Sequence, residues 1–157
     1  MTDAFDLSRF DDLQARQEEG LQVEIKGPDL RTKLGVTITV TGPDSKRVRA
    51  ALHDMQQQRL DAEDTAPLLA AEIDANERRI MAKATLSWLP PKLKFGGKEY
   101  ECSEAAAFDL YMRYPFIFDQ VRQRAGRRTS FTKRSTPPSA APSSDGTKES
   151  SKASQAG

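Results

Sequence analysis

Apolar and polar residues alternate in two neighbouring segments near the start of the chain. In Leu21–Lys26, Leu21, Val23 and Ile25 share one side and Gln22, Glu24 and Lys26 the other; Leu34, Val36, Ile38 and Val40 alternate with Gly35, Thr37, Thr39 and Thr41. A period of two marks half-buried strands, and the GPDLRTK connection can reverse the chain between them, so an antiparallel pair with one polar face is predicted. Ahead of it, Asp6 is placed to cap a short helix over Leu7–Glu19, with Phe10 and Leu13 on one face and Gly20 just past its end.

After Val40 the period changes. Gly42-Pro43 stops the strand, and Asp44 or Ser45 can cap a helix whose face carries Val48, Leu52 and Met55. The acidic stretch Asp61–Asp64 breaks it. Thr65 with Pro67 then reads as a second helix start, with Leu69, Ile73 and Ile80 recurring at helical spacing as far as Trp88. Pro90-Pro91 ends this pair. Gly96-Gly97 supplies the positive φ angles of a hairpin turn between KLKF and KEYE. Ser103 caps a last helix that must kink or break at Tyr114-Pro115, because proline lacks the amide for the helical bond. The sum is an α+β fold: two short antiparallel hairpins packed with about four to five helices and followed by a disordered C-terminal tail.

Composition sharpens the division. From Ser135 to Gly157 there is no Val, Ile, Leu, Met or aromatic residue. Such a segment has too little apolar surface to offset its ordering entropy, so 135–157 is expected to be disordered. Residues 1–134 then form a single α+β domain: an N-terminal helix and hairpin (5–41), a helical pair (44–88), a hairpin and kinked helix (92–125) and a basic end (122–134). The net charge of +1 hides that end, where Arg122, Arg124, Arg127, Arg128, Lys133 and Arg134 follow Asp119 with no acid before Asp145. A single cysteine, Cys102, excludes an intramolecular disulfide and a CxxC zinc site and suits a reducing compartment. No apolar run approaches the roughly 18 residues of a membrane helix, and Met1–Asp12 lacks the apolar core of a signal peptide.

No catalytic constellation accompanies these elements. His53, the only histidine, has no cysteine or second histidine to converge with on a metal, and it reads as a solvated helix residue. Asp61, Glu63 and Asp64 lack the ligand spacing of a calcium loop. Gly96-Gly97 is set in neither phosphate-loop pattern. The chain is therefore expected to be no enzyme, with no cofactor and no metal. The basic end, with Phe131 interleaved, suits an acidic partner protein, with nucleic acid as the weaker reading. Eight of the eleven aromatic residues fall between Trp88 and Val121, more than one short helix and hairpin can hide. Trp88, Phe95, Tyr100 and Phe108 are expected inside, while Tyr114, Phe116 and Phe118 are expected to reach a partner.

Two stretches resemble the tail assembly chaperones of long-tailed bacteriophages. The first, EEGLQVEIKGPDLRTKLGVTITVTGPDSKRVRAAL, is similar to that family's N-terminal strands, Gly-x-Asp-Ser step and following helix. The second runs from Trp88 through FGGKEYECSEAAAFDLYMRYPFIFDQV to Phe131, and is similar to its succession of Trp, hairpin, Ser-started helix, Tyr-Pro and amphipathic end. The resemblance implies a protein acting in the host cell cytoplasm during virion assembly. It would bind the tape-measure protein, keep it soluble and help recruit tail-tube subunits, by reversible burial of apolar helix faces. Hydrophobic contact would then fall to Trp88, Tyr111, Tyr114, Phe116 and Phe118, with Arg122, Arg124, Arg127, Arg128, Lys133 and Arg134 steering an acidic partner. Family members often have a longer form made by ribosomal frameshifting, which the tail would tether, and self-association is left open. The competing expectations are a structural virion component, such as a minor tail or connector protein, and a small nucleic-acid-binding protein.

Overall fold

The computed structural model describes residues 3–132; the segment 135–157 and the basic residues Lys133 and Arg134 lie outside them. Strands β1 (Leu21–Lys26) and β2 (Lys33–Val40) pair antiparallel as expected, with Val23 opposite Ile38 and Leu21 opposite Val40. Asp29 holds the turn between them. Its carboxylate accepts the amides of Thr32 and Arg31 at 2.9 Å each and the Thr32 hydroxyl at 2.7 Å. Those bonds favour the charged form and hold the group at about 2. Val23, Ile25, Ile38 and Val40 are buried while Gln22 and Glu24 face out, the alternation predicted for a sheet with one covered face. The alternation fails at Leu34. A register shift beside Lys26, with Gly35 at φ 75°, turns that end of β2 outward, and Leu34 is exposed.

The helical pair expected over 44–88 is corrected at both ends of its second member. Helix α2 (Lys46–Asp61) starts where it should, the Ser45 hydroxyl accepting the Val48 amide. Helix α3 begins only at Ala70, where the Glu72 carboxylate accepts the Leu69 amide at 2.9 Å, and not at Thr65-Pro67. It ends at Ala84, and Thr85–Leu89 forms a third strand, β3, paired antiparallel with β2. The expected first hairpin is thus a three-stranded sheet of order β1-β2-β3. Thr39 pairs with Ser87 and Val40 with Thr85, so Leu86 is an inserted bulge residue. Bulging puts Thr85 and Trp88, three residues apart, both inside. Three-residue spacing imitates a helix, which is why this strand reads as helical.

The N-terminal helix is also broken. Asp6 caps a short 3-10 turn, Leu7–Phe10, through the Ser8 amide at 2.9 Å, and α1 proper runs Asp12–Glu19. Strands β4 (Lys92–Phe95) and β5 (Lys98–Glu101) form the second hairpin, with Gly96 and Gly97 at φ 60° and 80° as the turn requires. Helix α4 (Glu104–Arg113) is capped by the Ser103 hydroxyl, and the break at Tyr114 separates it from α5 (Pro115–Ala125). A 3-10 turn, Arg128–Phe131, follows.

Helix α5 lies across β1 and β2, and α4 packs on α3. The space between is filled by Trp88, Leu110, Tyr111, Phe118 and Val121 together with the inward residues of the sheet. Gln120 ties α5 to the sheet edge: its amide accepts the Lys26 N–H at 2.8 Å and donates to the Lys26 carbonyl at 2.7 Å. An outer strand otherwise leaves such backbone groups open. The second hairpin is attached by its aromatics, with Phe95 stacked on Tyr100 at 4.4 Å and edge-on to Tyr114 at 6.3 Å.

Candidate partner-binding cleft

Three of the five residues expected to contact a partner belong to the core. Trp88 is 3% exposed, Tyr111 0% and Phe118 1%. The reason is the fold around them: β3 carries Trp88 inward, and the break at Tyr114 lets α4 and α5 each turn one stripe to the same interior. Tyr111 is fixed further by its hydroxyl, 2.7 Å from Thr85 Oγ1, and burial pushes its ionisation well above the usual tyrosine range. Phe118 meets the Tyr111 ring edge-on at 5.9 Å, with the Arg78 guanidinium 4.3 Å from its centroid. Tyr114 and Phe116 remain half-exposed, 6.2 Å apart, at the end of the aromatic row from the second hairpin.

The basic end is divided too. Arg128 is committed to Asp44 by two bonds of 2.5 and 2.8 Å. The same carboxylate accepts from Gln17 at 3.1 Å, and Gln17, almost fully buried, accepts the Asp44 amide in return. Arg128, followed by burial and Gln17 as smaller opposed influences, holds Asp44 at about 2. Arg122 faces Glu77 of α3 at 3.7 Å. Arg124 and Arg127 are exposed and have no acidic partner among the described residues. Arg128 is thus a structural ion pair in this fold, and the free basic surface is narrower than the six-residue run implied.

Beside Arg122 lies an apolar cleft of about 180 Å³. Its sides come from three helices and the turn after β2: Pro43, Val48, Ile80, Met81, Ala84 and Phe118 line it. Helical spacing produces it. Ile80 and Ala84 are one turn apart on α3, and Phe118, Arg122 and Ala125 succeed one another along α5. Ala84, Ala125 and Gly126, all small, are among the residues that border it. The Glu77–Arg122 pair stands on the rim. The volume is below the roughly 300–1,000 Å³ of small-molecule pockets, and suits a single large apolar side chain inserted by another protein.

Sequence reasoning named Phe118 and Arg122 but missed the part-exposed Ile80 and Met81 and the small, buried Ala84 as lining, along with Glu77 as their charged neighbour. The signal was weak: alanines at helix meeting points read as ordinary helix formers. His53 is exposed on α2, its Nδ1 3.9 Å from the Asp54 carboxylate, and Cys102 is half-buried, with burial raising its thiol. No helix among the described residues is long and apolar enough to cross a membrane. No protein-family model matches the chain, and no curated protein or solved structure shows significant similarity to it.

Proposed function

We propose that the protein is a non-enzymatic assembly chaperone which holds a partner helix by an apolar side chain in the α3–α5 cleft. In this reading the partner is the tape-measure protein of a long-tailed phage, and the bound chaperone helps recruit tail-tube subunits to it. The observation that carries the reading is an open cleft, floored by Phe118 and rimmed by Glu77 and Arg122, with the half-exposed Phe116 on the same helix α5 and Tyr114 in the break before it. Apolar insertion supplies affinity, and the exposed Arg124 and Arg127 steer an acidic stretch of the partner toward it, an effect that falls as salt rises. Tyr114 and Phe116 extend the contact on the neighbouring face.

Nucleic-acid binding is less well supported, because Arg122 and Arg128 already face Glu77 and Asp44. The deciding experiment is co-expression of the tagged chain with tape-measure and tube proteins, followed by pull-down. The wild type should retain the tape-measure protein in soluble form, and Ile80→Glu should lose it while keeping the wild-type circular dichroism spectrum. Equal retention by the folded variant, or no retention by the wild type, would remove the reading. Stoichiometric copies in purified particles would instead make the protein a structural component of the virion.

A further inference from the structure

The first residues described carry apolar surface that the domain itself leaves uncovered. Phe5 is 72% exposed and Leu7 66%, and the 3-10 turn that Leu7 opens contains no buried residue. A monomer leaves single apolar residues in water at little consequence; two large ones within three positions form a short adhesive segment. Between residues 3 and 8 there are two carboxylates, Asp3 and Asp6, and no base. The local charge is therefore negative.

The α3–α5 cleft has the opposite character. It is apolar within, has room for one large side chain, and lies beside Arg122, with Arg124 exposed in the last turn of α5 and Arg127 exposed just past its end. Glu77 and Arg122 neutralise each other across the rim, so the charges near it left unpaired among the described residues are Arg124 and Arg127 against Asp119. An acidic segment with an exposed phenyl group and a basic-edged apolar cleft of side-chain size are complementary in both shape class and charge.

We propose that residues 3–8 of one copy dock into the α3–α5 cleft of a second copy, with Phe5 as the anchor and Asp3 and Asp6 toward the arginines. Segment and cleft are different patches, so the contact is heterologous: each copy presents one donor and one acceptor, and association runs head to tail. Occupancy by a second copy would compete with a helical partner for the same cleft.

The test uses the full chain alone, in sedimentation velocity over a range of concentrations. The wild type should grow beyond a monomer as concentration rises, and the association should weaken at high salt. Phe5→Ser/Leu7→Ser removes the donor from solvent-exposed positions, and Ile80→Glu blocks the acceptor; each alone should stay monomeric, with association at least about tenfold weaker. If Ile80→Glu fails to fold, Arg122→Glu, on the exposed rim, takes its place as the acceptor-side variant. Mixing the two classes leaves one intact donor and one intact cleft, and the mixture should form dimers and stop there. A wild type that is monomeric throughout, a donor variant that associates normally, or a mixture that stays monomeric would each overturn the proposal. Failure here leaves the pull-down result untouched, because no tail protein is present in the experiment.

Discussion

Tyr111 was expected to touch a partner, and a double-mutant cycle with Thr85 tests its place in the core. The Thr85 hydroxyl lies 2.8 Å from the Met81 carbonyl and 2.7 Å from the Tyr111 oxygen. Threonine has one proton and a carbonyl can only accept, so Thr85 donates to Met81 and Tyr111 donates to Thr85. Tyr111→Phe removes one neutral hydrogen bond and leaves Thr85 with its own donor satisfied, a cost of about 1 kcal/mol. Thr85→Val is different. It removes the acceptor from a phenol that is fully buried, and also the bond to Met81, so it should cost about 2–3 kcal/mol. The double variant leaves neither hydroxyl stranded and should cost about 1.5–2 kcal/mol, less than the singles together by about 1.5 kcal/mol. Urea unfolding followed by the fluorescence of Trp88, the only tryptophan, reads all four proteins, with unchanged slopes as the control. Additive costs, or a Thr85→Val penalty no larger than that of Tyr111→Phe, would refute the buried relay and return Tyr111 to the surface.

Other consequences are local. Asp44 has a folded pKa of about 2 against an ordinary 3.8, so its contribution is present in full above about pH 4 and lost as pH falls toward 2. Because Arg128 faces solvent, about 1 kcal/mol is expected, read as the shrinking difference between wild type and Asp44→Asn in urea at about pH 5 and pH 2.5. Gly42→Ala would put a methyl 2.4 Å from Gln17 Cγ and displace the buried amide from Asp44; a loss of about 1–3 kcal/mol in the same assay is expected. Gln120→Leu should speed hydrogen exchange at the Lys26 amide and cost about 1–2 kcal/mol, whereas unchanged exchange would show that the β1 edge does not need the clamp. Ala125→Val should partly fill the cleft, changing stability by no more than about 1 kcal/mol while abolishing partner retention; a much larger loss would mean that the seam is already packed.

What was legible in the sequence was local. The β1–β2 alternation, the Gly96-Gly97 turn, the Ser45 and Ser103 caps and the break before Pro115 each depend on a few adjacent residues, and each is in the fold where it was expected. Strand β3 was hidden because its bulge at Leu86 mimics helical spacing and its partner β2 lies more than forty residues earlier. The fate of the aromatics was hidden for another reason. A helix stripe that enters its own core and one that awaits a partner have the same periodicity, so Tyr111 and Phe118 could not be separated from Tyr114 and Phe116. Long-range pairing decided the arginines: Asp44 precedes Arg128 by 84 positions, and nothing in the basic run announces that one of its members is spent on a turn near the start of the chain.

The cleft follows from the same division between local and distant causes. Ala84 ends α3 at the point where the chain must turn into β3, and a small residue lets the Ala84 carbonyl accept the Thr41 amide at 2.9 Å beside the sheet. Gly126 is constrained independently, since a Cβ there would come 2.5 Å from the Arg122 carbonyl. Two positions bordering the cleft are thus small for reasons of backbone packing. Ala125 is itself buried, and a larger side chain there tests whether the seam has room to close. Cavity-filling substitutions commonly add stability and are neutral or harmful to function. On the proposed reading, the apolar hollow with the Glu77–Arg122 pair at its lip is held open for the side chain that enters it.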